Sequence, residues 1–364
     1  MDKGSDPRRL IRRDLLDTKP YAYVSPLEEL SQGAGVPVED IVKLDGNENP
    51  YGCSPRVRQA LADFSYYHIY PDSEQRQLRK ALESYVGVPS NRIVAGSGSD
   101  ELIDLILRLF LEPGDRVVNC TPTFGIYSFS TETSGGKVIE VPRDGSFAVD
   151  VAGTAEAIRS NGAKLVFVAS PNNPSGNTTP EGDIVQILRT GAVVVVDEAY
   201  YEFSGETVLH LADKYDNLIV LRTFSKWAGL AGLRVGYGLF PESLVGHLLR
   251  IKPPYNVNAA AQVAAVESLK DIDYLRRTVE AIVSERERMF NALSDVGFLA
   301  PYPSRANFIL CRVSGEPAEV IHRRLRARGI SVRYFDSPRL RDHLRFSVGK
   351  PEHTDALLAA LRQI

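Results

Sequence analysis

The lysine with the most chemical promise in this sequence is Lys226, which follows the apolar run Leu218-Ile-Val-Leu221 and the segment Arg222-Thr-Phe-Ser225. A lysine at the carboxyl end of a buried strand is desolvated, which lowers its pKa and makes its amine a nucleophile. The same residues are also typical of a surface lysine in a loop. The residues that accompany Lys226 therefore decide between these two interpretations.

A carboxylate that needs a cationic partner is the second feature. Asp197 closes the apolar run Val193-Val-Val-Val196, where a charge is costly to bury unless a cation pairs with it. The protonated ring nitrogen of pyridoxal phosphate (PLP) would be such a cation, and the carboxylate would keep that ring working as an electron sink. A helix N-cap and a Mg²⁺ ligand are the alternative interpretations of Asp197.

Two further side chains are placed to bind the 3′ oxygen of such a ring. Tyr200 lies three residues after Asp197, and Asn173 lies in Ser170-Pro-Asn-Asn-Pro-Ser-Gly176 at the end of the preceding strand. Two donors on that oxygen would lower the proton affinity of an imine formed with Lys226. The alternative is that Asn-Asn-Pro-Ser-Gly simply forms a turn.

The segment Gly96-Ser-Gly-Ser-Asp-Glu101 lies between a predicted strand and a predicted helix, which suits it to bind a phosphate. Its backbone N–H groups would lie at the helix N-terminus, where the helix dipole favours an anion. Ser225 and Arg234 would add a hydroxyl and a bidentate guanidinium. A capping box formed by Ser97 and Asp100 is the alternative. A dinucleotide-binding turn is excluded because the third glycine of its fingerprint is missing.

The sequence predicts strands that alternate with helices, and these elements position the residues named above. Such alternation is the pattern of an α/β protein with a mostly parallel sheet. Residues 164–169 and 192–197 are apolar runs, which are typical of central strands covered by helices on both faces. Further along, the pattern changes to a long charged helix over 274–293 and short strands near 307–312 and 343–347. This change predicts a second, smaller α+β domain.

The composition argues against several classes of function. The 364 residues carry a net charge of −3, so no basic excess points to nucleic acid. The 3 cysteines lie far apart and the 6 histidines lack the spacing of metal ligands, which predicts a reducing, cytoplasmic location and no metal site. No apolar run reaches the roughly 18 residues needed to cross a bilayer. The arginines of the N-terminus resemble a transit peptide, but its aspartates argue against one.

Several of these segments occur together in one known superfamily. The chain resembles the fold-type I aminotransferases. The segments that carry this resemblance occur in the order expected for that superfamily and are Ser170–Gly176, Asp197–Tyr200, Ser225-Lys226 and Gly232-Leu-Arg-Val-Gly236. Within that superfamily the chain most resembles the histidinol-phosphate aminotransferases, through Leu44-Asp-Gly-Asn-Glu-Asn-Pro-Tyr-Gly52, Tyr70-Pro-Asp72, Pro122-Thr-Phe-Gly-Ile-Tyr127, Pro253-Pro-Tyr-Asn-Val257 and Leu344-Arg-Phe-Ser-Val-Gly349. The resemblance covers nearly the whole chain.

The resemblance implies an aspartate-aminotransferase-like α/β fold. A large PLP-binding domain with a mostly parallel seven-stranded sheet would be followed by a smaller α+β C-terminal domain. The expected bounds are 1–45 for an N-terminal arm and part of the small domain, 46–268 for the large domain and 269–364 for the small domain.

The resemblance also implies roles for individual residues. Lys226 would form the imine with PLP, Asp197 would hold the ring nitrogen, and Tyr200 would bind the 3′ oxygen; these three are the expected catalytic residues. Phe124 would stack on the ring, and Tyr70 would reach the cofactor phosphate of the other subunit, which makes the active unit a homodimer. The full set expected to bind the cofactor is Ser99, Asp100, Phe124, Asn173, Asp197, Tyr200, Thr223, Ser225, Lys226, Arg234 and Tyr70.

The expected substrate contacts are Arg345, Arg333, Tyr21 and Asn47. Arg345 matches the arginine that clamps the substrate's anionic group, and a fork-shaped guanidinium suits both a carboxylate and a phosphate. The implied reaction converts histidinol phosphate and 2-oxoglutarate into imidazole acetol phosphate and glutamate, a step of histidine biosynthesis. A salt bridge between strands of the small domain is the alternative role for Arg345.

Three other functions stay open at this point. One is a PLP lyase that decarboxylates threonine phosphate, and another is an aminotransferase for aromatic amino acids. The third is a non-catalytic PLP-binding domain of a transcription regulator, which the absence of a basic excess disfavours.

Overall fold

The computed structural model describes residues 6–16, 18, 20–21 and 24–364, and the rest of the predicted N-terminal arm lies outside the described residues. The strands are β1 (Val42–Leu44), β2 (Ile93–Gly96), β3 (Arg116–Thr121), β4 (Lys137–Pro142), β5 (Leu165–Ala169), β6 (Val193–Asp197), β7 (Leu218–Thr223), β8 (Gly236–Leu239), β9 (Leu299–Pro301), β10 (Phe308–Val313), β11 (Ile330–Tyr334) and β12 (His343–Ser347). The helices are α1 (Leu27–Ala34), α2 (Pro55–Asp63), α3 (Arg76–Val86), α4 (Ser99–Phe110), α5 (Ile126–Thr133), α6 (Val151–Asn161), α7 (Glu181–Leu188), α8 (Tyr201–Ser204), α9 (Glu242–Ile251), α10 (Ala259–Lys270), α11 (Ile272–Ser294), α12 (Ala318–Arg326) and α13 (Pro351–Leu361).

The larger sheet has seven strands in the order β2-β8-β7-β6-β5-β3-β4. Only β8 runs antiparallel to its neighbours β2 and β7, while β3, β4, β5, β6 and β7 pair in parallel. The predicted mostly parallel seven-stranded sheet is therefore confirmed.

The smaller sheet has five strands in the order β1-β11-β12-β10-β9. β1 precedes every strand of the large sheet in the chain, yet it pairs in parallel with β11. The smaller α+β unit thus takes a strand from the N-terminal part of the chain. The expected domain bounds at residues 45 and 268 stay a prediction.

The core of the large sheet is built from the apolar runs that mark its central strands. Every residue of β5, β6 and β7 is buried except Val193, which is partly buried. Helix α4 covers the sheet with Leu102, Ile103 and Ile106, which recur at helical spacing and are fully buried. Strands buried on both faces are near-continuous hydrophobic runs rich in Val, Ile and Leu, and these strands follow that pattern.

Polar residues stand where the central parallel strands end. Ala169, Asp197 and Leu221 are aligned across β5, β6 and β7, so the loops that follow these strands emerge at one edge of the sheet. Ligands bind at this edge in open α/β sheets. Among the described residues, no helix is both long and apolar enough to cross a membrane.

Candidate active site

The carboxyl ends of β5, β6 and β7 open into a cavity of about 1160 Å³, whose lining also includes residues of the small sheet. All the predicted site residues except Tyr70 line it. They are Tyr21, Asn47, Ser99, Asp100, Phe124, Asn173, Asp197, Tyr200, Thr223, Ser225, Lys226, Arg234, Arg333 and Arg345. The fold thus brings together residues that are spread over more than 300 positions of the chain.

Lys226 lies in the loop after β7, where its amine is removed from solvent. Its Nζ donates a hydrogen bond to the carbonyl oxygen of Gly46 at 3.0 Å. Burial lowers the pKa of Lys226 to about 8, and the guanidinium of Arg345 acts in the same direction while Glu48 opposes it. A pKa near 8 leaves roughly a tenth of the amine neutral at pH 7. The lysine is therefore prepared to act as a nucleophile and as a base.

Asp197 is a buried carboxylate, only 4% exposed. The hydroxyl of Tyr127 donates to its Oδ2 at 2.6 Å, and the N–H of Ala199 donates to its Oδ1 at 3.0 Å. No lysine, arginine or histidine among the described residues forms an ion pair with it. Burial raises the pKa of Asp197 to about 6, and the Tyr127 hydrogen bond opposes that rise. A buried cation in the cavity would remove this cost.

Tyr200 is held by Asn47 at the junction of the two sheets. The Asn47 amide Nδ2 donates to the Tyr200 hydroxyl oxygen at 2.9 Å, which leaves the hydroxyl proton to be donated into the cavity. Burial raises the pKa of Tyr200 to about 12, so the hydroxyl stays protonated at neutral pH.

The backbone of Asn47 is itself held in a left-handed conformation, with φ of 55°. Its N–H donates to the Ser347 hydroxyl at 2.9 Å and its carbonyl accepts from Asn307 at 2.9 Å. Non-glycine residues adopt this conformation when surrounding contacts hold them there. Strand β12 and its neighbours thus aim the Asn47 amide at Tyr200.

The N-terminus of α4 forms the opposite end of the cavity. Its N-cap is Gly98, with φ of 80° and no side-chain cap, so the first N–H groups of the helix are left for another acceptor. The proposed capping box of Ser97 and Asp100 is absent, because Asp100 instead accepts from Arg234 Nη2 at 2.8 Å. A Cβ added at Gly98 would lie 2.5 Å from that same nitrogen. Only glycine allows the arginine to approach so closely.

Hydroxyl groups from the end of β7 and from the loop that follows it line the same cavity. The Thr223 hydroxyl lies 3.0 Å from that of Ser225 and accepts from the Ser225 N–H at 3.1 Å. Arg234 Nη1 donates to the Ser225 hydroxyl at 3.4 Å. Two hydroxyls, a guanidinium and a helix N-terminus together make a site for a phosphate group.

Two arginines of the small sheet form the third side of the cavity. Arg333 on β11 and Arg345 on β12 are directly paired across antiparallel strands, and both side chains belong to the lining of the cavity. Arg345 donates to Asn173 Oδ1 and to the Asp45 carbonyl oxygen. Within the described chain it has no ion pair, and its buried Nε lacks a hydrogen-bond partner. The described residues therefore show no salt bridge between strands at Arg345, which was the alternative role for this side chain.

Aromatic rings line the entrance. Tyr21 packs edge-on against Phe124, with ring centroids 6.3 Å apart, and Phe124 packs edge-on against Tyr127 at 5.6 Å. Burial raises the pKa of the Tyr21 hydroxyl, while Arg333 and Arg345 oppose that rise. Tyr21 is thereby placed between the aromatic wall and the two arginines.

Comparison with known proteins agrees with this geometry. Residues 39–361 match the family model described as aminotransferase class I and II. The histidinol-phosphate aminotransferase of Dehalococcoides mccartyi is 50% identical over 357 residues, which cover 98% of each chain. The chain belongs to the histidinol-phosphate aminotransferases, within the class I and II aminotransferases. The predicted family and enzyme class are confirmed.

Solved structures of related proteins have the same fold as this chain. The crystal structure of histidinol-phosphate aminotransferase from Sinorhizobium meliloti in complex with pyridoxal-5'-phosphate has a TM-score of 0.87 at 29% identity, covering 94% of this chain and 95% of that one. The aspartate aminotransferase from Thermus thermophilus has a TM-score of 0.80 at 21% identity, covering 97% and 98%. The predicted aspartate-aminotransferase-like fold is confirmed.

The residues of this aminotransferase fit PLP at three separate points. The unpaired Asp197 carboxylate suits a ring nitrogen, the desolvated Lys226 amine suits an aldehyde, and the cup formed by α4, Ser225 and Arg234 suits a phosphate. In the cup, the glycine at position 236 is required as well, because a Cβ there would lie 2.6 Å from the Ser99 nitrogen.

Tyr70 lies outside the cavity. Its side chain is 78% exposed and stacks on Tyr255, which is 46% exposed, with ring centroids 4.5 Å apart. Tyr66, Tyr67 and Ile69 are exposed alongside in the same segment. Neighbouring exposed apolar side chains of this kind form a patch on the surface of the described chain.

Sequence reasoning missed Tyr127 as a site residue, although it quoted the segment Pro122–Tyr127. It also missed the Gly46 carbonyl and the Asp45 carbonyl, which bind Lys226 and Arg345. No sequence signal identifies a backbone acceptor. For Tyr127 the signal was its place in the family segment, but 70 positions separate it from Asp197.

Proposed function

We propose that this chain is a PLP-dependent aminotransferase that converts histidinol phosphate and 2-oxoglutarate into imidazole acetol phosphate and glutamate. The observation that carries the proposal is the Arg333–Arg345 pair, which faces the same cavity as Lys226 and Asp197. Two guanidinium groups suit the phosphate of one substrate and the carboxylates of the other. The 50% identity to a histidinol-phosphate aminotransferase supports the same substrate.

PLP, when bound, supplies an electron sink that stabilises negative charge at the substrate's α-carbon. Lys226 would hold its aldehyde carbon, Asp197 its ring nitrogen, and the α4 N-terminus with Ser225 and Arg234 its phosphate. Asn173 and Tyr200 would bind the 3′ oxygen. In support, Tyr200 keeps its proton at neutral pH and receives a hydrogen bond from Asn47.

Lys226 is the residue that moves protons. Its pKa near 8 would allow the amine to act as a general base toward the proton on the substrate's α-carbon and to give that proton back. The Gly46 carbonyl, 3.0 Å from Nζ, would orient the amine for this role. General base catalysis of this kind contributes roughly 10²- to 10⁴-fold to a rate.

Asp197 and the arginines orient the reactants. The carboxylate, kept ionised with the help of Tyr127, favours a protonated ring nitrogen. Arg345 and Arg333 bind the substrate's anionic group, which fixes the distance between its amine and Lys226. Tyr21 and Phe124, which pack edge-on against each other, form part of the cavity wall.

We also propose a cytoplasmic homodimer in which Tyr70 reaches the partner's cofactor phosphate. Two observations support a contact between subunits here. The aromatic segment Tyr66–Tyr70 is exposed, and Tyr70 stacks on the exposed Tyr255. The three cysteines, Cys53, Cys120 and Cys311, are all free thiols, which suits a reducing compartment.

A substrate panel tests the activity. Glutamate formation from 2-oxoglutarate is measured with histidinol phosphate, histidinol and phenylalanine, and CO₂ release is measured with threonine phosphate. We expect kcat/KM for histidinol phosphate to exceed that for histidinol by roughly 100-fold or more, because histidinol lacks the phosphate that would bind the buried Arg345 guanidinium, whose Nε has no hydrogen-bond partner among the described residues. Equal use of phenylalanine would assign an aromatic aminotransferase, and CO₂ release without 2-oxoglutarate would assign the lyase; either result contradicts the proposal.

A further inference from the structure

A polar cluster, buried at Gln75 and Lys252 and partly buried at Glu101 and Asn256, joins the phosphate-binding turn to the exposed aromatic segment. Its members are Gln75, Glu101, Lys252 and Asn256, which we call the Asn256 hub. None of its members lines the active-site cavity. The cluster lies behind the residues that do, and its hydrogen bonds run in two directions from the Asn256 side chain.

One direction leads to the turn before α4. Glu101 Oε2 accepts from the Ser97 N–H at 2.5 Å and from Asn256 Nδ2 at 2.7 Å. Asn256 Nδ2 also donates to the Ala95 carbonyl at 3.2 Å. Glu101 thus fixes the backbone just before Gly98, whose conformation sets where the first helical N–H groups point. A carboxylate in this first turn is also favoured by the helix dipole.

The other direction leads to the segment that follows Tyr70. Asn256 Oδ1 accepts from Lys252 Nζ at 2.8 Å and from Gln75 Nε2 at 3.3 Å. Lys252 also donates to the Ser73 carbonyl at 3.0 Å, and Gln75 donates to the same carbonyl at 2.8 Å. The Ser73 backbone, three residues after Tyr70, is thereby tied to Asn256.

The hub is unusual in its chemistry. Lys252 is only 7% exposed, and within the described residues its ammonium has no carboxylate at ion-pair distance. All of its hydrogen bonds go to the neutral oxygens of Ser73, Pro253 and Asn256. A buried ammonium is costly to remove from water unless its hydrogen bonds are made, and here they are made to the groups that connect the two parts of the hub. Tyr255, the stacking partner of Tyr70, is the residue directly before Asn256.

We propose that the Asn256 hub is a positioning device that couples two parts of a shared active site. It sets the subunit's own phosphate-binding turn and, through the same amide, the Tyr70–Tyr255 pair that the subunit presents to its partner. This inference rests on the proposed homodimer and on the proposed Tyr70 contact with the partner's cofactor phosphate. Asn256 then acts on cofactor binding in both sites without touching either cofactor.

Hybrid dimers separate the two effects. In the first hybrid, one subunit carries Asn256→Ala and keeps Lys226, while the other carries Lys226→Ala. In the second hybrid, one subunit carries both changes and the other is unchanged. Each hybrid has one lysine that can form an imine, so its absorption band reports PLP affinity at one known site. Asp104→Asn, which removes an exposed carboxylate from the same helix α4, replaces Asn256→Ala in the matched control hybrids.

We expect the PLP dissociation constant to rise roughly tenfold over the controls in both hybrids, since a hydrogen bond to a charged group is worth about that factor. An affinity equal to the control in either hybrid overturns the coupling. If Asn256→Ala does not fold, Lys252→Met replaces it in both hybrids. The same comparison of PLP dissociation constants with the control hybrids then tests the coupling. A failure of the proposed function can be told apart from a failure of the coupling. If the protein without any substitution is monomeric or forms no imine with PLP, the proposed function itself is contradicted.

Discussion

Replacing Tyr127 with phenylalanine isolates the hydrogen bond on which the proposed role of Asp197 in PLP binding depends. The Tyr127 hydroxyl donates to Asp197 at 2.6 Å. Its ring stacks on Phe167 with centroids 4.7 Å apart and planes 3° apart. Phenylalanine keeps that ring in place, so the packing is preserved. Asp197 then retains the N–H of Ala199 as its donor.

The size and sign of the effect follow from the charge on Asp197. A hydrogen bond to a charged group is worth about 1.5–3 kcal/mol, and one pKa unit corresponds to about 1.36 kcal/mol. The donor stabilises the charged carboxylate, so its loss raises the pKa of Asp197, already about 6, by roughly one to two units. A protonated carboxyl does not pair with a ring nitrogen cation. PLP affinity therefore falls as the pH drops through the Asp197 pKa, and in Tyr127→Phe it falls at higher pH.

The assay is the PLP dissociation constant from about pH 5 to about pH 9 for both proteins. Their ratio at each pH cancels the cofactor's own titrations. We expect the ratio to be close to one at the alkaline end and to rise to roughly 10- to 100-fold below about pH 6.

The matched control is Tyr85→Phe. The Tyr85 hydroxyl donates to the partly buried Glu202 at 3.2 Å, and neither residue lines the active-site cavity. This variant should give a ratio near one throughout. A flat ratio for Tyr127→Phe, or a uniform loss of affinity at every pH, would refute the reasoning about Asp197.

Further changes test the other parts of the site. Lys226→Ala should abolish both the imine absorption band and transamination, and retained turnover would contradict its role. The rate at which PLP bonds to Lys226 should increase with pH up to about pH 8 and level off above it, because the neutral amine is the nucleophile and burial places its pKa at about 8; a rate independent of pH between 6 and 9 would argue against that pKa. Arg345→Lys should lower kcat/KM for both histidinol phosphate and 2-oxoglutarate by roughly 10- to 100-fold, since lysine loses the bidentate contact, and steady-state kinetics with unchanged values for either substrate would count against a shared clamp. Gly98→Ala should lower the Tm and weaken PLP binding, because φ of 80° strains alanine and its Cβ would meet Arg234; wild-type affinity would show that the cup tolerates displacement of that arginine.

The sequence by itself determined which strand ends carry the candidate reactive residues. Continuous apolar runs specify central strands, and the residue that closes each run must lie at the carboxyl edge of the sheet. Asp197 closes β6, and Lys226 follows β7 after a few residues, so both were predictable without coordinates. The family segments then supplied expected roles for the residues around them. Composition alone carried the argument against nucleic acid.

Only the tertiary structure decided how these residues are held. Tyr127 bonds to Asp197, and Asn47 bonds to Tyr200, across 70 and 153 positions of the chain. Arg333 and Arg345 face each other because β11 and β12 pair in one particular register. Such contacts depend on which elements pack together and on strand register, and neither is encoded in the local periodicity of a segment. The sequence thus identified the reactive groups, whereas packing between distant segments set their charges, partners and directions.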